Sequence, residues 1–364
     1  MSPFVQGAGF HRCLRACLAS LPDDVASAAG QLASIPPAEW RQFLDYATSH
    51  GVLAVLAPAL AKCDLAPPVR EELERRLLVQ SMWSQQVVEA LSKHLDLFAD
   101  EGIPVCALKG PMFAQRFYAH ASDRPSIDID LLVSPDDLEK ARTALLRAGY
   151  EGDSDLKTAY LTAHAHHLHF TRSGVPELEL HFQAYHGFGT VVQASSMMDR
   201  ATLAMFAGRR TLVASPEDEL IYLAAHAAGH SFIRLLWLFD MKMLIRAGGL
   251  DWSAVTKRSR ELRIASAAAY AFRLLDRWLD VPGIPREALS PYGNRARVAD
   301  RLLDVVAAPS TPSSMDNLGG LVFTAMLCDR IGATFGLAGH HLLRTARHRV
   351  HRLAPGLVPD SWSA

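Results

Sequence analysis

The sequence predicts an α+β protein in which short β-strands lie between an N-terminal and a C-terminal helical region. Apolar residues recur at three- and four-residue steps before about residue 100 and again after residue 215, as amphipathic helices require. Between them, runs such as SIDIDLLV alternate apolar with polar residues, which is typical of strands. We therefore divide the chain into a helical region 1–100, an α/β core 101–214 and a helical region 215–364.

The composition is that of an ordinary globular protein. The 364 residues include 37 basic and 38 acidic side chains, so the formal net charge is -1. This balance does not favour a long nucleic acid as partner, although a local basic patch can hold a nucleotide. The five cysteines form no CxxC pair, and the N-terminus lacks the pattern of a signal peptide. We expect a cytoplasmic protein without a membrane span.

The elements of the core follow from periodicity and from residues typical of helix ends. A long amphipathic helix is predicted to end at Gly102, and IPVCALKG then reads as a strand that ends at Gly110. A helix follows, then the strand SIDIDLLV, then a helix that Ser134 caps. Residues 164–183 predict two strands joined by a Ser-Gly-Val-Pro turn. From Ser215 onward the pattern is helical again.

Two aspartates stand inside the apolar run of the strand SIDIDLLV. Strand alternation places Asp128 and Asp130 on one face, about 7 Å apart, with Ile127 and Ile129 on the core side. Two such carboxylates repel unless a cation lies near them, and Mg²⁺ or Mn²⁺ is the natural partner. Glu179 on a later strand supplies a third carboxylate, enough for two metal ions. For the pair alone, acids on the solvent-facing side of an edge strand are the more common explanation.

Several cationic side chains near these acids have a functional and a structural interpretation. Lys109 ends a strand before a helix, so its ammonium either faces a triphosphate or lies at the surface. Arg124 either clamps a phosphate or forms a structural salt bridge. His181 shares a strand face with Glu179 and either contacts metal, phosphate or acceptor, or only hydrogen-bonds to the acid.

Histidines are concentrated in two segments. Strand alternation divides the first group between two faces, which disfavours a zinc site there: His164, His166, His167 and His169. In the second group, His226 and His230 lie one helical turn apart, and Arg234 follows on nearly the same face. We interpret this group either as nucleotide or acceptor contacts or as packed structural residues. Asp240 is predicted to order its helix by ion pairing.

The order of these motifs resembles the uncharacterised nucleotidyltransferase branch of the DNA polymerase beta superfamily. The resemblance covers about residues 70–250 and is carried by Leu108-Lys109-Gly110, Asp-Ile-Asp-Leu-Leu-Val, Glu-Leu-His and a helix with two histidines. It implies a small mixed β-sheet with metal-binding acids on two strands, and flanking helices that shape an acceptor pocket. By position, Asp128 and Asp130 are metal ligands and Glu179 also draws the proton from the acceptor. Lys109-Gly110 departs from the Gly-Ser pair of the superfamily, and Glu179 from its aspartate.

The sequence therefore predicts a metal-dependent nucleotidyltransferase. It would move a nucleoside monophosphate from a nucleoside triphosphate to a hydroxyl of an unidentified small molecule, peptide or protein, with release of pyrophosphate. The catalytic and metal-binding candidates are Asp128, Asp130 and Glu179, and the nucleotide-binding candidates are Lys109, Gly110, Arg124, His181, His226, His230 and Arg234. Two alternatives stay open: a non-catalytic member that binds a nucleotide or partner, and a histidine-based metallohydrolase.

Overall fold

The computed structural model describes residues 3–290 and 325–329, and its elements follow the predicted order of helices, strands and helices. The N-terminal helices are α1 (Pro3–Ser20), α2 (Val25–Leu32), α3 (Trp40–Ser49), α4 (Ala57–Leu60) and α5 (Pro67–Asp100). The later helices are α10 (Pro216–Gly229), α11 (Leu235–Ala247), α12 (Trp252–Glu261), α13 (Ala265–Leu279) and α14 (Arg286–Leu289). Most of the predicted helical region beyond residue 290 lies outside the described residues.

The middle of the chain contains the strands. The strands are β1 (Cys106–Ala107), β2 (Asp128–Leu132), β3 (Glu151–Gly152), β4 (His167–Arg172), β5 (Val175–His181), β6 (Gln183–Gly187), β7 (Thr190–Gln193), β8 (Thr202–Phe206) and β9 (Arg209–Val213). The helices between them are α6 (Gly110–Phe117), α7 (Leu138–Arg147), α8 (Asp155–His164) and α9 (Ala194–Met198). The predicted strand, helix and hairpin of the core are all present.

Seven of these strands form one mixed sheet in the order β3-β4-β5-β2-β1-β9-β8. β2 runs parallel to β5 and β1 parallel to β9, while the other neighbouring strands are antiparallel. β6 and β7 pair as a separate hairpin. The α+β class, with a mixed sheet between helical regions, is therefore confirmed.

One face of the sheet is apolar and packs against α5 and α7. Ile129 and Leu131 of β2 and Leu178 and Leu180 of β5 belong to a buried core that these helices complete. Because side chains alternate along a strand, the opposite face carries the polar residues of the same strands. Ile127 was predicted on the core side, but 59% of it is exposed, because it precedes β2 and escapes the pleat that buries Ile129.

The N-terminal and C-terminal helices share a second hydrophobic core. Leu14 of α1 and Leu274 of α13 are fully buried in the same cluster. Lys242 of α11 donates hydrogen bonds to the backbone oxygens of Leu18 and Ala19 at 2.7 and 2.6 Å, where α1 ends. The two helical regions, distant in sequence, are therefore one packed body.

The helical pattern that begins at Ser215 divides into two helices. Ser215 caps α10 as predicted, since its hydroxyl accepts a hydrogen bond from the backbone N–H of Asp218. The helix stops at Gly229 because Ser231 and Phe232 adopt φ angles of 53° and 54°, which no right-handed helix accommodates. No helix among the described residues is both long enough and apolar enough to cross a membrane.

Candidate active site

The parallel pairing of β2 with β5 brings the three predicted acids together. Asp130 lies beside Glu179 in the register, and Asp128 lies beside Glu177. Neighbouring strands are about 4.8 Å apart, so side chains at paired positions on the same face are in reach of one ligand. The polar face of these two strands is therefore a continuous carboxylate surface.

The turn after β1 converges on the same surface. Lys109 Nζ lies 2.8 Å from Asp130 Oδ2 and 3.6 Å from Asp128 Oδ2, and the lysine side chain is only 10% exposed. Gly110 follows with a φ of +74°, a conformation that glycine adopts without strain. An added Cβ there would lie 3.7 Å from Ser126 Oγ, so the turn also passes close to the segment that enters β2. The structure thus brings the Lys109-Gly110 turn to the acids.

His181 bridges two of the acids. Its Nε2 lies 3.2 Å from Asp130 Oδ1 and 3.3 Å from Glu179 Oε2, and the residue is almost completely buried. Burial alone would lower the pKa of His181, but the hydrogen bonds to Asp130 and Glu179 outweigh it, and the pKa is raised. His181 therefore orients the two carboxylates and neutralises part of their charge.

The three acids differ in how their charge is stabilised. Burial raises the pKa of Asp128, and the neighbouring charge of Asp130 raises it further. Burial would also raise the pKa of Asp130, but Lys109 and His181 outweigh it and the pKa is lowered. For Glu179 burial would raise the pKa, but the hydrogen bond from His181 and the charges of His167, Lys109 and His181 together outweigh it, and the pKa lies far below its usual value. Asp128 is thus the acid that gains most from an added cation.

The donor set fits a divalent cation of the magnesium type. Asp128, Asp130 and Glu179 present carboxylate oxygens, which Mg²⁺ prefers, on one face of two adjacent strands. Asp130 Oδ2 is buried and contacts Lys109 Nζ, but it accepts no hydrogen bond of good geometry from the described residues. A buried carboxylate oxygen without a hydrogen bond is a suitable metal ligand, provided that the Lys109 ammonium stays beside the metal or moves away from Asp130.

Arg124 lies near the acids, but its side chain hydrogen-bonds to Asp240 and Ser126. Its Nε and Nη2 donate to the two oxygens of Asp240 at 2.9 and 2.8 Å, and its Nη1 donates to Ser126 Oγ at 3.0 Å. Arg124 is 4% exposed and Asp240 is 0% exposed. The structural salt bridge that the sequence allowed for Arg124 is therefore present, and three of the five N–H donors of the guanidinium are occupied.

His226, His230 and Arg234 lie where α10 gives way to α11. The rings of His226 and His230 are 4.8 Å apart, and both pack against Trp237 of α11. Burial lowers the pKa of both histidines, and the charge of nearby Lys109 lowers it further. Arg234 precedes α11, with its guanidinium 5.9 Å from the Trp237 ring. The two histidines are thus neutral groups that face the acids.

Four further polar residues belong to this surface and were not among the predicted site residues. Burial raises the pKa of Tyr222 on α10, and the charges of the three acids add to the effect. Glu177, His167 and His169 extend the carboxylate surface across β5 and β4. The alternation in residues 167–181 could have found these three, since their register partners are the predicted site residues.

Comparisons with known proteins identify a family for this chain. The sequence profile of a family described as "Uncharacterised nucleotidyltransferase" matches residues 36–280. No curated protein matches the chain. A solved structure, that of the antibiotic-resistance factor ANT(2'')-Ia, is similar over 48% of this chain and 92% of its own, with 15% identity and a TM-score of 0.36. A similarity of that size is too low to support a conclusion about this chain.

Proposed function

Since the chain belongs to a family of uncharacterised nucleotidyltransferases, we propose that it transfers a nucleoside monophosphate from a nucleoside triphosphate to an acceptor hydroxyl. The observation that carries the proposal is the convergence of Asp128, Asp130, Glu179 and the Lys109-Gly110 turn on one face of the sheet. Four groups from three separate chain segments meet there, which a chance Asp-x-Asp pair on an edge strand does not explain.

The acids would hold the metal ions of the reaction. Asp128, Asp130 and Glu179 are the ligands for one or two Mg²⁺ or Mn²⁺ ions, which when bound neutralise the charge on the transferred phosphoryl group and on pyrophosphate. His181 fixes Asp130 and Glu179 through its hydrogen bonds, so that their oxygens are already in place when the nucleotide arrives.

Glu179 has the second role of accepting the proton of the acceptor. The acceptor oxygen forms a bond to the α-phosphorus while its proton passes to the Glu179 carboxylate. The bond from that phosphorus to the oxygen bridging the α- and β-phosphates breaks, and pyrophosphate leaves with the electron pair. The lowered pKa of Glu179 keeps the side chain ionised, as a metal ligand requires.

Nucleotide binding would use the groups around the acids. Lys109 offers a buried ammonium to the phosphates, and the N-terminus of α6, which begins at Gly110, offers backbone N–H groups. His226 and His230 face the acids as neutral rings and contribute hydrogen bonds rather than charge. Arg124 is not assigned to a phosphate, because it is buried and three of its five N–H donors bond to Asp240 and Ser126.

The test is nucleotide transfer by purified protein with isosteric variants. The protein is incubated with labelled nucleoside triphosphates and Mg²⁺ against lysate and candidate acceptors, and the mass of the labelled product identifies the acceptor. We expect Asp128→Asn and Asp130→Asn each to lower transfer at least about 10²-fold, as loss of one electrostatic contact to a transition state does. Chelation of the metal should abolish transfer.

The matched control is Glu151→Gln, which changes an exposed acid on β3 at the far edge of the same sheet. This variant should transfer at the wild-type rate, and thermal unfolding should show that all three variants are folded. Folded Asp128→Asn and Asp130→Asn proteins that both retain full transfer would refute the proposal.

A second candidate function is nucleotide binding without transfer. It is favoured by the position of Lys109, whose ammonium already offsets part of the charge of Asp128 and Asp130. This function predicts that calorimetry detects nucleotide binding of equal affinity with and without Mg²⁺, and that no acceptor gains a nucleotide. Binding that requires Mg²⁺ and fails in Asp128→Asn favours the transferase instead.

A further inference from the structure

A second set of metal-ligand side chains lies on β4, next to Glu179 and away from Lys109. His167 and His169 are paired in register with His181 and Glu179 of β5. Residues two apart on a strand share a face, so both imidazoles lie on the polar side of the sheet. One ligand atom from each of His167, His169 and Glu179 lies within 4.8 Å of the other two.

The distance between the two imidazoles suits a single ion. His167 Nε2 and His169 Nε2 are 3.0 Å apart. A tetrahedral zinc ion bound at about 2.0–2.1 Å from each nitrogen would separate them by about 3.3 Å. A shift of a few tenths of an ångström, with the proton of His167 Nε2 moving to its Nδ1, therefore converts the observed contact into a shared coordination sphere.

The other ring nitrogen of His169 has the partner that a metal-bound histidine requires. His169 Nδ1 donates a hydrogen bond to Glu177 Oε1 at 2.8 Å. This contact places the proton on Nδ1 and leaves the lone pair on Nε2, toward His167. Metal-binding histidines almost always hold such a carboxylate or carbonyl behind them, because it fixes the ring and raises its basicity.

Glu179 can serve this site from one end of its carboxylate. Its Oε2 lies 3.3 Å from His181 Nε2, and one of its two oxygens lies within 4.8 Å of a ring nitrogen of His167 and of His169. The side chains of His169 and Glu177 are 44% and 45% exposed, so an ion can enter from solvent. Two neutral nitrogens and one carboxylate favour zinc-like transition metals over Mg²⁺.

We propose that His167, His169 and Glu179 bind a Zn²⁺ ion beside the acid site, with Glu177 as the outer carboxylate that orients His169. Three protein ligands leave one position of a tetrahedral ion open for water or for an atom of a substrate. The site is distinct from the Asp128–Asp130 pair and shares only Glu179 with it. It requires no nucleotide, so its test is independent of the transfer reaction.

The test is zinc titration of metal-free, full-length protein without nucleotide, in excess Mg²⁺ and in competition with a chromophoric chelator. We expect one Zn²⁺ ion per chain in the wild type. His167→Gln and His169→Gln should each lose at least about 10²-fold in affinity, and Glu177→Gln should lose about 10- to 100-fold. Substitution by Co²⁺ should give the visible absorption of a four-coordinate site in the wild type and not in His169→Gln.

Two control variants locate the ion. His164→Gln changes an exposed histidine in the same segment, at the end of α8, and should leave zinc affinity unchanged. Asp128→Asn should also leave it unchanged, because Asp128 belongs only to the acid site. No zinc uptake by the wild type, wild-type affinity in folded His169→Gln, or loss of affinity in Asp128→Asn would each overturn the assignment.

Discussion

Asp240 is a buried anion that holds the loop before β2 against α11. It accepts two hydrogen bonds from Arg124 and one of 2.6 Å from the Tyr118 hydroxyl, and no part of it is exposed. The sequence suggested that Asp240 pairs and that Arg124 takes part in a salt bridge. That each is the partner of the other, across 116 positions, is a consequence of tertiary packing that no local pattern encodes.

Removal of one partner from this network should be strongly destabilising. Asp240→Ala leaves the Arg124 guanidinium buried without its counter-ion, so we expect the free energy of unfolding to fall by about 3–5 kcal/mol. Tyr118→Phe removes one hydrogen bond to a charged group and should cost about 1.5–3 kcal/mol. Urea denaturation of the three proteins measures both changes.

The control for the Asp240 prediction replaces both charges at once. Arg124→Met combined with Asp240→Leu should recover much of the stability lost in Asp240→Ala, because no uncompensated charge is left in the interior. A double variant as unstable as the single one would show that side-chain shape, rather than charge pairing, determines stability at this position.

At the scale of elements, α5 joins the sheet to the helical body and carries a buried histidine. His94 is 1% exposed, and its ring centroid lies 5.2 Å from that of Tyr150, which follows α7. Burial lowers the pKa of His94 to about 4. The folded chain therefore keeps this ring neutral at a pH where the unfolded chain would protonate it.

His94 should make the protein less stable in acid. Between pH 6.5 and pH 4 the unfolded state binds more protons at this position than the folded state, so the free energy of unfolding falls as the pH falls. We expect the loss from pH 7 to pH 5 to be about 2 kcal/mol for this residue. His94→Leu should remove that part of the pH dependence, measured as the difference between urea unfolding curves at the two pH values.

The control for the pH prediction is a histidine at the surface. His164→Gln changes an exposed ring and should leave the pH dependence of the wild type intact. If His94→Leu loses as much stability between pH 7 and pH 5 as the wild type, His94 does not titrate as we infer.

The helices and strands also show which features the periodicity of the sequence predicts and which it does not. Alternation predicted the strand of Asp128 and Asp130 and the hairpin that carries Glu179, and both are confirmed. It could not supply the parallel register that sets Asp130 beside Glu179, because strand pairing is decided by packing across the sheet. The break after α10 was missed for a related reason: Ser231 is not a residue that favours a positive φ, so only tertiary contacts impose it.

The histidine-rich segment was divided wrongly for want of a strand boundary. His164 ends α8 and His166 precedes β4, so only His167 and His169 follow strand alternation. The ring centroids of His166 and His167 are 4.4 Å apart, although strict alternation would place these two side chains on opposite faces. The candidate site is therefore richer in nitrogen ligands than the sequence pattern indicated.

At the scale of the whole molecule, the first and last helices depend on one another. Leu14 of α1 is 0% exposed within the core that α11 and α13 share. The ring of Trp278 on α13 lies 4.2 Å from the Arg15 guanidinium and 5.2 Å from the His11 ring. Residues more than 200 positions apart thus bury the same surface.

A cavity in α1 should therefore loosen distant helices. Leu14→Ala should lower the free energy of unfolding by about 2–5 kcal/mol. Native-state hydrogen exchange should show equal loss of protection in α1 and in α13. Leu156→Ala, at a residue 87% exposed on α8, is the control and should change neither. Loss of protection confined to α1 would mean that the helices unfold independently.

Lys109 supplies a positive charge to the acid surface from within the chain. Its ammonium reaches both Asp128 and Asp130, so the chain brings its own counter-ion to the acid surface. This contact lowers the repulsion between the two acids without a metal ion. Under the proposed function, a metal ion that arrives with the nucleotide would take the place of Lys109 beside Asp128 and Asp130 and would release the lysine beside the incoming phosphates. Loading and unloading of the ion would then be exchanges between cations at this surface.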